Sequence, residues 1–280
     1  MRVALLGASG FVGRHLTAAL RARGDDVVEI SLRNPDHAAH AVAACDVVVN
    51  LAGEPLSQRW TAEVKQRVME SRSTLPAQFL SALAAVEPRP AAYVSASGVG
   101  YYGTSETATF TETSSPGNDF LARVCIEWES TARTAARYGM RVTIVRNGLI
   151  LGTDGGALPK LLPLFRGGVA GRVGSGRQWY SWIHIDDAVG IYLCAIDRIE
   201  GVLNATAPNA VRNEDFTQQL ASALHRPAPV PVPAFMVKLA LGEGAMMVLE
   251  GQHVLPERTL REGYVFKYPR LDAALANLLP

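Results

Sequence analysis

The chain of 280 residues is 48% hydrophobic and carries a formal net charge of +1. This composition is too apolar for a disordered chain and too neutral for electrostatic attraction to nucleic acid. No apolar run has the length of a membrane span, and no separate signal segment precedes the first predicted strand. We therefore expect a cytoplasmic globular protein with a small-molecule substrate. We expect no nucleic-acid or membrane partner, and a monomer or homodimer.

The cysteines and histidines show no pattern of a cross-linked or metal-bound chain. Cys45, Cys125 and Cys194 are odd in number, widely spaced and set among apolar residues. This is typical of reduced thiols in a hydrophobic core, and the histidines lack metal-ligand spacing. The sequence predicts neither a disulfide nor a metal site.

The first predicted elements surround a glycine-rich turn. Residues 3–6 form an apolar run typical of a strand, residues 11–21 form an amphipathic helix pattern, and Gly7, Gly10 and Gly13 stand at their junction. In such a position the first glycine permits the turn, the second lets the backbone approach a pyrophosphate, and the third lets the helix pack on its strand. The helix N-terminus presents N–H groups to the phosphates. The motif predicts a dinucleotide site rather than an ordinary turn.

The end of the second predicted strand indicates which dinucleotide is bound. Ser31 and Arg33 stand where an NAD-binding enzyme usually has a carboxylate that accepts from the ribose 2′-hydroxyl. A carboxylate would repel a 2′-phosphate, whereas a hydroxyl and a guanidinium bind it through charge-assisted hydrogen bonds. We predict NADP as the cofactor, with NADPH preferred over NADH. The alternative is that Arg33 is only a solvated loop residue.

Strand and helix patterns alternate over about the first two hundred residues. This predicts an α/β fold, a doubly wound parallel sheet with helices on both faces. Further strands are predicted at 26–30, 47–50, 92–95, 141–146 and 202–204. Further helices are predicted near 61–71, at 75–86, from about 119 to 138, and at 186–196. Gly24 and Gly139 stand where they would end the preceding helices.

The alternation ends after the fifth strand. A glycine-rich loop with a short apolar helix follows at 152–176, and the proline-rich segment 227–233 leads into a smaller C-terminal region. We predict a dinucleotide-binding domain of residues 1–153 and about 180–206. The predicted substrate or lid domain consists of about 154–179 and 207–280.

Four segments resemble a known family. They are Asn50-Leu-Ala-Gly-Glu-Pro55 with Arg59, Trp60, Ser71 and Arg72, then Ser95-Ala-Ser-Gly-Val-Gly-Tyr-Tyr-Gly103, residues 174–187, and residues 263–269. In this order they resemble the extended short-chain dehydrogenase/reductases. Within them, the chain is similar to an atypical branch labelled epimerase family proteins, or sometimes cell-division inhibitors. The resemblance implies an NADP-binding Rossmann domain with a small C-terminal domain.

The predicted cofactor contacts come from the glycine turn and from the ends of the following strands. They are Gly7, Ser9, Gly10, Phe11, Val12, Gly13, Ser31, Arg33, Leu51, Ala52, Gly53, Glu54, Ser95 and Arg146.

The resemblance also implies a catalytic group, of which one member is missing. The family uses a serine or threonine that hydrogen-bonds the substrate oxygen, and a tyrosine with a lysine four residues later. That lysine holds the ribose and lowers the pKa of the phenol. Ser97 stands at the serine position. None of the four lysines stands four residues after a tyrosine, and the predicted helix has Val124 or Cys125 at the lysine position.

Tyr101 and Tyr102 follow Ser97 in the next loop and are the predicted proton donors. A neutral tyrosine can protonate an incipient alkoxide but is a poor base at neutral pH. This favours a one-way reductase over a two-way epimerase. In the alternative interpretation both tyrosines pack beside the cofactor.

Aromatic and basic residues in predicted loops indicate a pocket for a planar or anionic substrate. The predicted substrate contacts are Arg59, Trp60, Tyr180 and Trp182. The alternative is a hydrophobic lid between the domains. Glu54 and Arg72 either contact the substrate or pair with each other, and Glu129 is expected on the helix surface or in a salt bridge. Asp186 is predicted as the N-cap of its helix.

These observations predict an NADP-dependent oxidoreductase acting on a small carbonyl or sugar-like substrate. One alternative is an NADP(H)-binding sensor or regulator without turnover, which the missing lysine favours. Another is a nucleotide-sugar epimerase or dehydratase. Ser97 and the polar, aromatic-rich pocket favour the enzyme, because residues of the site and not the fold decide function.

Overall fold

A computed structural model describes residues 1–279. The strands are β1 (Arg2–Leu6), β2 (Asp26–Ile30), β3 (Val47–Asn50), β4 (Ala92–Gly98), β5 (Thr109–Phe110), β6 (Arg141–Asn147), β7 (Leu149–Leu151), β8 (Trp179–Tyr180), β9 (Trp182–His184), β10 (Gly201–Ala205), β11 (Val211–Arg212) and β12 (His253–Val254). The helices are α1 (Phe11–Ala22), α2 (Pro35–Ala41), α3 (Ala62–Arg72), α4 (Thr74–Leu83), α5 (Phe120–Arg133), α6 (Leu158–Arg166), α7 (Ile185–Asp197), α8 (Asn213–Ala223), α9 (Ala234–Leu241), α10 (Met246–Leu249), α11 (Glu257–Arg261) and α12 (Leu271–Leu278).

The central element is a six-stranded sheet in the order β10-β6-β4-β3-β1-β2. All of its strand pairs are parallel. Leu6 of β1 is level with Ile30 of β2 and Asn50 of β3, so these three strands end at the same edge. The strand order reverses between β1 and β3, and such a switch point leaves a crevice beyond the carboxyl ends. The doubly wound, Rossmann-type α/β fold predicted from the sequence is confirmed.

Helices cover both faces of the sheet. Helices α1 and α7 pack on one face, and α2, α4 and α5 contribute to the apolar core on the other. The inner strands are therefore apolar on both sides, and all four residues of β3 are buried. A third apolar core joins α6, α8 and α12 around Trp182.

Several elements differ from the prediction in extent. Strand β4 continues through Gly98, and the helix predicted to reach residue 138 changes to a 3₁₀ helix at Thr134. Gly139 ends it at φ +79°, as predicted. The short helix α2 was not predicted, although Asn34 caps it through a hydrogen bond from the His37 N–H.

The predicted N-cap of α7 is wrong. The helix begins at Ile185, and the side chain of His184 accepts a hydrogen bond from the Asp186 N–H at 3.0 Å. Asp186 instead lies in the first turn, where its charge is favourable to the helix dipole.

The predicted domain boundaries remain a prediction, and Pro280 lies outside the described residues. Within residues 1–279, no helix is long and apolar enough to cross a membrane, and no cluster of histidine, cysteine and acidic residues is suited to a metal ion. Cys45, Cys125 and Cys194 are free, and burial raises the pKa of each thiol.

Candidate functional site

A cleft of about 690 Å³ opens at the carboxyl edge of the sheet, beyond the ends of β1, β2 and β3. The switch point between β1 and β3 places it there, as in other doubly wound sheets. These predicted cofactor residues line it: Gly7, Ser9, Gly10, Ser31, Arg33, Leu51, Ala52, Gly53 and Glu54. Ser71 and Leu75, at the junction of α3 and α4, also line the cleft.

The glycine turn has the shape that a phosphate site requires. Gly7 has φ +86°, and a Cβ there would lie 2.8 Å from the Ala52 nitrogen. A Cβ on Gly13 would lie 2.3 Å from the Gly7 carbonyl oxygen, so only glycine lets α1 pack this closely. A Cβ on Gly10 would meet only the Gly7 oxygen, at 3.2 Å. Among the described residues no side chain caps α1, so its first N–H groups remain for a ligand.

The end of β2 presents a hydroxyl and a guanidinium to the cleft. Ser31 and Arg33 are exposed, and the Arg33 N–H donates to the Ser31 Oγ at 3.3 Å. Glu29 also borders the cleft, but its carboxylate is 2.8 Å from the guanidinium of Arg21. The end of β2 therefore presents a positive charge and a hydroxyl group, which favour the binding of a phosphate.

Three predicted cofactor residues on α1 lie outside the cleft lining. Phe11 packs against Gly152 and Gly155, where a Cβ would lie 2.6 and 2.4 Å from its ring. Val12 packs on the core beneath the helix, and Gly13 contacts the turn itself. These residues hold the helix in position.

Two other predicted cofactor residues, Ser95 and Arg146, are buried in the sheet and do not line the cleft. Ser95 is buried in β4, and its hydroxyl donates to the Ala96 carbonyl oxygen at 3.0 Å. Arg146 in β6 is 2% exposed, and its guanidinium binds both oxygens of Glu129 at 2.7 and 2.8 Å. A guanidinium held in this way by a carboxylate has no free donor pair for a cofactor phosphate.

Glu129 is in a salt bridge, one of the two expected alternatives, but it is buried and not on the helix surface. It is fully buried on α5, where its carboxylate also accepts from the Ser97 hydroxyl at 2.9 Å and from Arg133 at 2.9 Å. A sequence signal was available: Cys125, Glu129 and Ala132 share one apolar stripe of the helix. An acidic residue on a buried stripe needs a cationic partner, and Arg146 supplies it.

The two predicted proton donors have different surroundings. The Tyr102 hydroxyl is buried, donates to Asn204 Oδ1 at 2.7 Å and accepts from Arg146 at 2.9 Å. Burial raises the pKa of the Tyr102 phenol to about 12. Tyr101 is half-buried, and its ring centroid lies 3.4 Å from the Arg146 guanidinium carbon. Within residues 1–279, the Tyr101 hydroxyl has no hydrogen-bond partner. Of the two predicted proton donors, Tyr101 is therefore the one whose phenol is free.

Two predicted substrate contacts, Trp60 and Trp182, are buried in apolar surroundings, as the alternative of a hydrophobic lid expects. Trp182 is fully buried among the apolar side chains around α8 and α12, and its indole N–H donates to the Asn209 carbonyl oxygen at 3.0 Å. Trp60 is buried against Val64 and Phe120. Packing in the core is favourable for these large rings because it removes their apolar surface from water.

The other two predicted substrate contacts remain accessible. Arg59 is exposed, and its guanidinium is 3.5 Å from the Leu239 carbonyl oxygen of α9. Tyr180 is half-buried, and its hydroxyl donates to the Val248 carbonyl oxygen at 3.2 Å. Both contacts join the loops of the predicted pocket to the C-terminal region.

Glu54 and Arg72 do not pair with each other. The Glu54 carboxylate accepts from Gln58 at 3.0 Å and lies 3.4 Å from Arg67. Arg72 is buried, and its guanidinium lies over the ring of Trp128 at 4.9 Å.

Comparison with known proteins gives the family. The model of the NAD dependent epimerase/dehydratase family matches residues 3–209, and a domain of unknown function (DUF1731) matches residues 232–278. The Arabidopsis thaliana epimerase family protein SDR39U1 homolog, named as chloroplastic, is 42% identical over the whole chain and 87% of the relative. The human epimerase family protein SDR39U1 is 39% identical, with both chains fully covered.

A solved structure agrees with this result. The crystal structure of human epimerase family protein SDR39U1 (isoform 2) with NADPH superimposes with a TM-score of 0.93 at 37% identity, covering 100% of this chain and 99% of the human chain. The chain therefore belongs to the NAD-dependent epimerase/dehydratase family, in the branch of the epimerase family proteins with a C-terminal DUF1731 domain.

Proposed function

We propose that this protein is an NADP(H)-dependent oxidoreductase that reduces a small carbonyl or sugar-like substrate. The observation that carries the proposal is the cleft at the strand switch point, with the glycine turn at its centre and Ser31 and Arg33 at one end. The human relative that superimposes on the chain was solved with NADPH, which supports the same cofactor here.

The residues present fit an NADP(H) molecule. The uncapped N–H groups of α1 beside Gly10 would hold the pyrophosphate, and Ser31 with Arg33 would hold the 2′-phosphate. Gly53 and its neighbours after β3 would contact the rest of the dinucleotide. Bound NADPH supplies hydride to the substrate carbon.

We expect the Arg33→Ala substitution to weaken NADPH binding at least about tenfold, because one charge-assisted contact to the 2′-phosphate is worth about 1.5–3 kcal/mol. NADH affinity should change little, since NADH has no phosphate there. Fluorescence titration of both cofactors measures the difference. Arg2→Ala, an exposed arginine at the opposite edge of the sheet, is the control. Equal losses for NADPH and NADH in the Arg33 variant would contradict the assignment.

We propose Tyr101 as the proton donor to the nascent alkoxide. It follows β4 at the carboxyl edge of the sheet, Ser97 lies near the end of that strand, and the ring of Tyr101 lies against the Arg146 guanidinium. Tyr102 is held in two buried hydrogen bonds and positions its neighbour through an edge-on ring contact. The predicted role of Ser97, a hydrogen bond to the substrate oxygen, requires its hydroxyl to turn from Glu129.

The Tyr101→Phe substitution should lower NADPH-dependent turnover by about a hundredfold or more, the usual loss for a positioned proton donor. The assay follows NADPH consumption with quinones, aldehydes and keto-sugars, and includes Ser97→Ala and Tyr102→Phe. Tyr138→Phe, a half-buried tyrosine just before β6, should keep the parent rate. If each of the three single variants, Tyr101→Phe, Ser97→Ala and Tyr102→Phe, keeps the turnover of the parent, these residues are not the catalytic group.

A second candidate function is a sensor that binds NADP(H) without turnover. The observation that favours it is the internal use of two predicted catalytic hydroxyls, Ser97 toward Glu129 and Tyr102 toward Asn204. Tight NADPH binding without consumption in the same assay distinguishes the two functions. The small-molecule substrate, the cytoplasmic location and the monomeric or homodimeric state remain predictions.

A further inference from the structure

Arg72, the last residue of α3, is a buried cation without an acidic partner. Its side chain is 7% exposed, and within residues 1–279 no carboxylate lies within 4 Å of its guanidinium. Among the described residues, it donates only to the Val68 carbonyl oxygen and the Ser71 hydroxyl, both at 3.3 Å. Arg146, which is also deeply buried, donates from Nε and Nη2 to the two carboxylate oxygens of Glu129.

Such a group is costly for the folded protein. A charge removed from water needs a counter-charge and full hydrogen bonding, and neutral acceptors at 3.3 Å supply neither. Burial lowers the pKa of the Arg72 guanidinium to about 10. The carboxylate of Glu54 attracts it from a longer range but is itself held by Gln58 and Arg67. Apart from the ring of Trp128, over which the guanidinium lies at 4.9 Å, Arg72 is held by neutral acceptors, and an anionic ligand would supply the counter-charge.

The position of Arg72 indicates where that ligand lies. A Cβ on Gly53 would be 2.9 Å from the guanidinium carbon, so Arg72 rests directly against this residue of the cleft wall. The guanidinium also lies over the ring of Trp128 of α5, the helix that carries Cys125 one turn earlier. Cys125 contacts the Gly98 carbonyl oxygen at 3.5 Å, one residue beyond Ser97. Arg72 therefore contacts the cleft wall at Gly53 and packs on α5, the helix that contacts the end of β4 beside the predicted catalytic serine.

No lysine stands at the Cys125 position of α5, and a positive charge from α3, the Arg72 guanidinium, packs on the same helix over Trp128. A planar guanidinium forms paired, charge-assisted hydrogen bonds with phosphate or carboxylate oxygens. At the other end of the cleft, Ser31 and Arg33 are already placed for the 2′-phosphate. A second cationic point is thus available for the nicotinamide half.

We propose that Arg72 binds an anionic oxygen at the boundary between the cleft and Ser97, donated by the pyrophosphate of the dinucleotide or by an anionic group of the substrate. The proposal rests on the proposed function, because it places a dinucleotide in the cleft. Arg72 then supplies positive charge at the boundary between the cleft and Ser97, and the ligand supplies the counter-charge that the fold lacks.

Calorimetric titration of Arg72→Met and Arg72→Lys tests this. The probes are NADP⁺, adenosine 2′,5′-bisphosphate, and inorganic phosphate added to the NADP⁺-saturated protein. Arg137→Met, an exposed arginine just after α5, is the control and should match the parent. If the anion belongs to the cofactor, Arg72→Met weakens NADP⁺ at least tenfold, Arg72→Lys weakens it less, and the bisphosphate is unaffected. If it belongs to the substrate, Arg72→Met keeps NADP⁺ affinity and loses phosphate binding.

A thermal melt of the ligand-free variants separates a ligand contact from a structural role. Removing an unpaired buried charge should leave the melting temperature of Arg72→Met unchanged or raised, and NADP⁺ should raise it less than in the parent. The Gly53→Ala variant gives a second test, since its Cβ would displace the guanidinium without removing the charge. We expect it to weaken the same probe that Arg72→Met weakens.

The proposal is overturned if Arg72→Met and Gly53→Ala bind all three probes as the parent does. It is also overturned if Arg72→Met melts at a lower temperature with unchanged binding, because Arg72 would then serve the fold alone. Failure of the proposed function has a different signature: the parent itself would bind NADPH no better than NADH, or would not consume it.

Discussion

The Arg146→Met substitution is expected to reduce the free energy of unfolding by about 3–5 kcal/mol, the usual cost of leaving one member of a buried ion pair alone. Glu129 is fully buried and loses its two shortest hydrogen bonds, at 2.7 and 2.8 Å, when the guanidinium is removed. Only Ser97 and Arg133 remain to hold its charge. Urea unfolding followed by circular dichroism measures the loss.

Two variants sharpen this test. Arg133→Met removes the other guanidinium on Glu129, but its side chain is 50% exposed, so we expect a loss of only about 0.3–0.5 kcal/mol. Replacing both members, as Glu129→Leu with Arg146→Met, should recover much of the stability because no buried charge is left alone. A loss in Arg146→Met no larger than in Arg133→Met would show that the pair is not what holds β6 to α5.

Gly10→Val is expected to abolish NADPH binding while the protein remains folded. The backbone at Gly10 has φ −71°, which any residue adopts, and a Cβ there meets only the Gly7 oxygen. The two methyl groups would therefore extend into the space where the N–H groups of α1 meet the pyrophosphate. Loss of two charge-assisted contacts of about 1.5 kcal/mol each corresponds to at least about a hundredfold in affinity.

Calorimetry with NADPH and a melting curve together test this substitution. Gly10→Ala should give a smaller loss of affinity, and Gly13→Val should unfold the protein, because its Cβ would lie 2.3 Å from the Gly7 oxygen. A folded Gly10→Val protein with the affinity of the parent would place the phosphate site elsewhere.

The sheet and the cleft were predictable because their signals are local. The glycine turn, the apolar run of β3 and the glycine at 139 each specify a backbone conformation within a few residues. Parallel strands bring their carboxyl ends to one edge, so Ser31 and Gly53 were expected near Gly7 without knowledge of the packing.

The partners of the charged side chains were not predictable in the same way. Arg146 stands at the carboxyl end of an apolar strand, where either a cofactor contact or a buried ion pair fits the sequence. Packing decides between them, because Glu129 reaches it from a helix 17 residues earlier. Trp182 likewise lies in the core formed with α8 and α12. These helices are distant from it in the sequence, so local signals could not predict the contact. For His184 the difference was local, since its own ring nitrogen serves as the cap in place of Asp186.

Transfer of deuterium from NADPH tests the central claim most directly. The parent protein is mixed with NADPH that carries deuterium at the transferable nicotinamide position and with the panel of aldehydes and keto-sugars, whose reduced carbon keeps the transferred deuterium. We predict that the NADPH absorbance falls with at least one substrate, and that mass spectrometry finds the deuterium on the carbon of its new hydroxyl group. Tight NADPH binding with no loss of absorbance and no deuterated product across the panel would contradict the reductase and identify a binding protein.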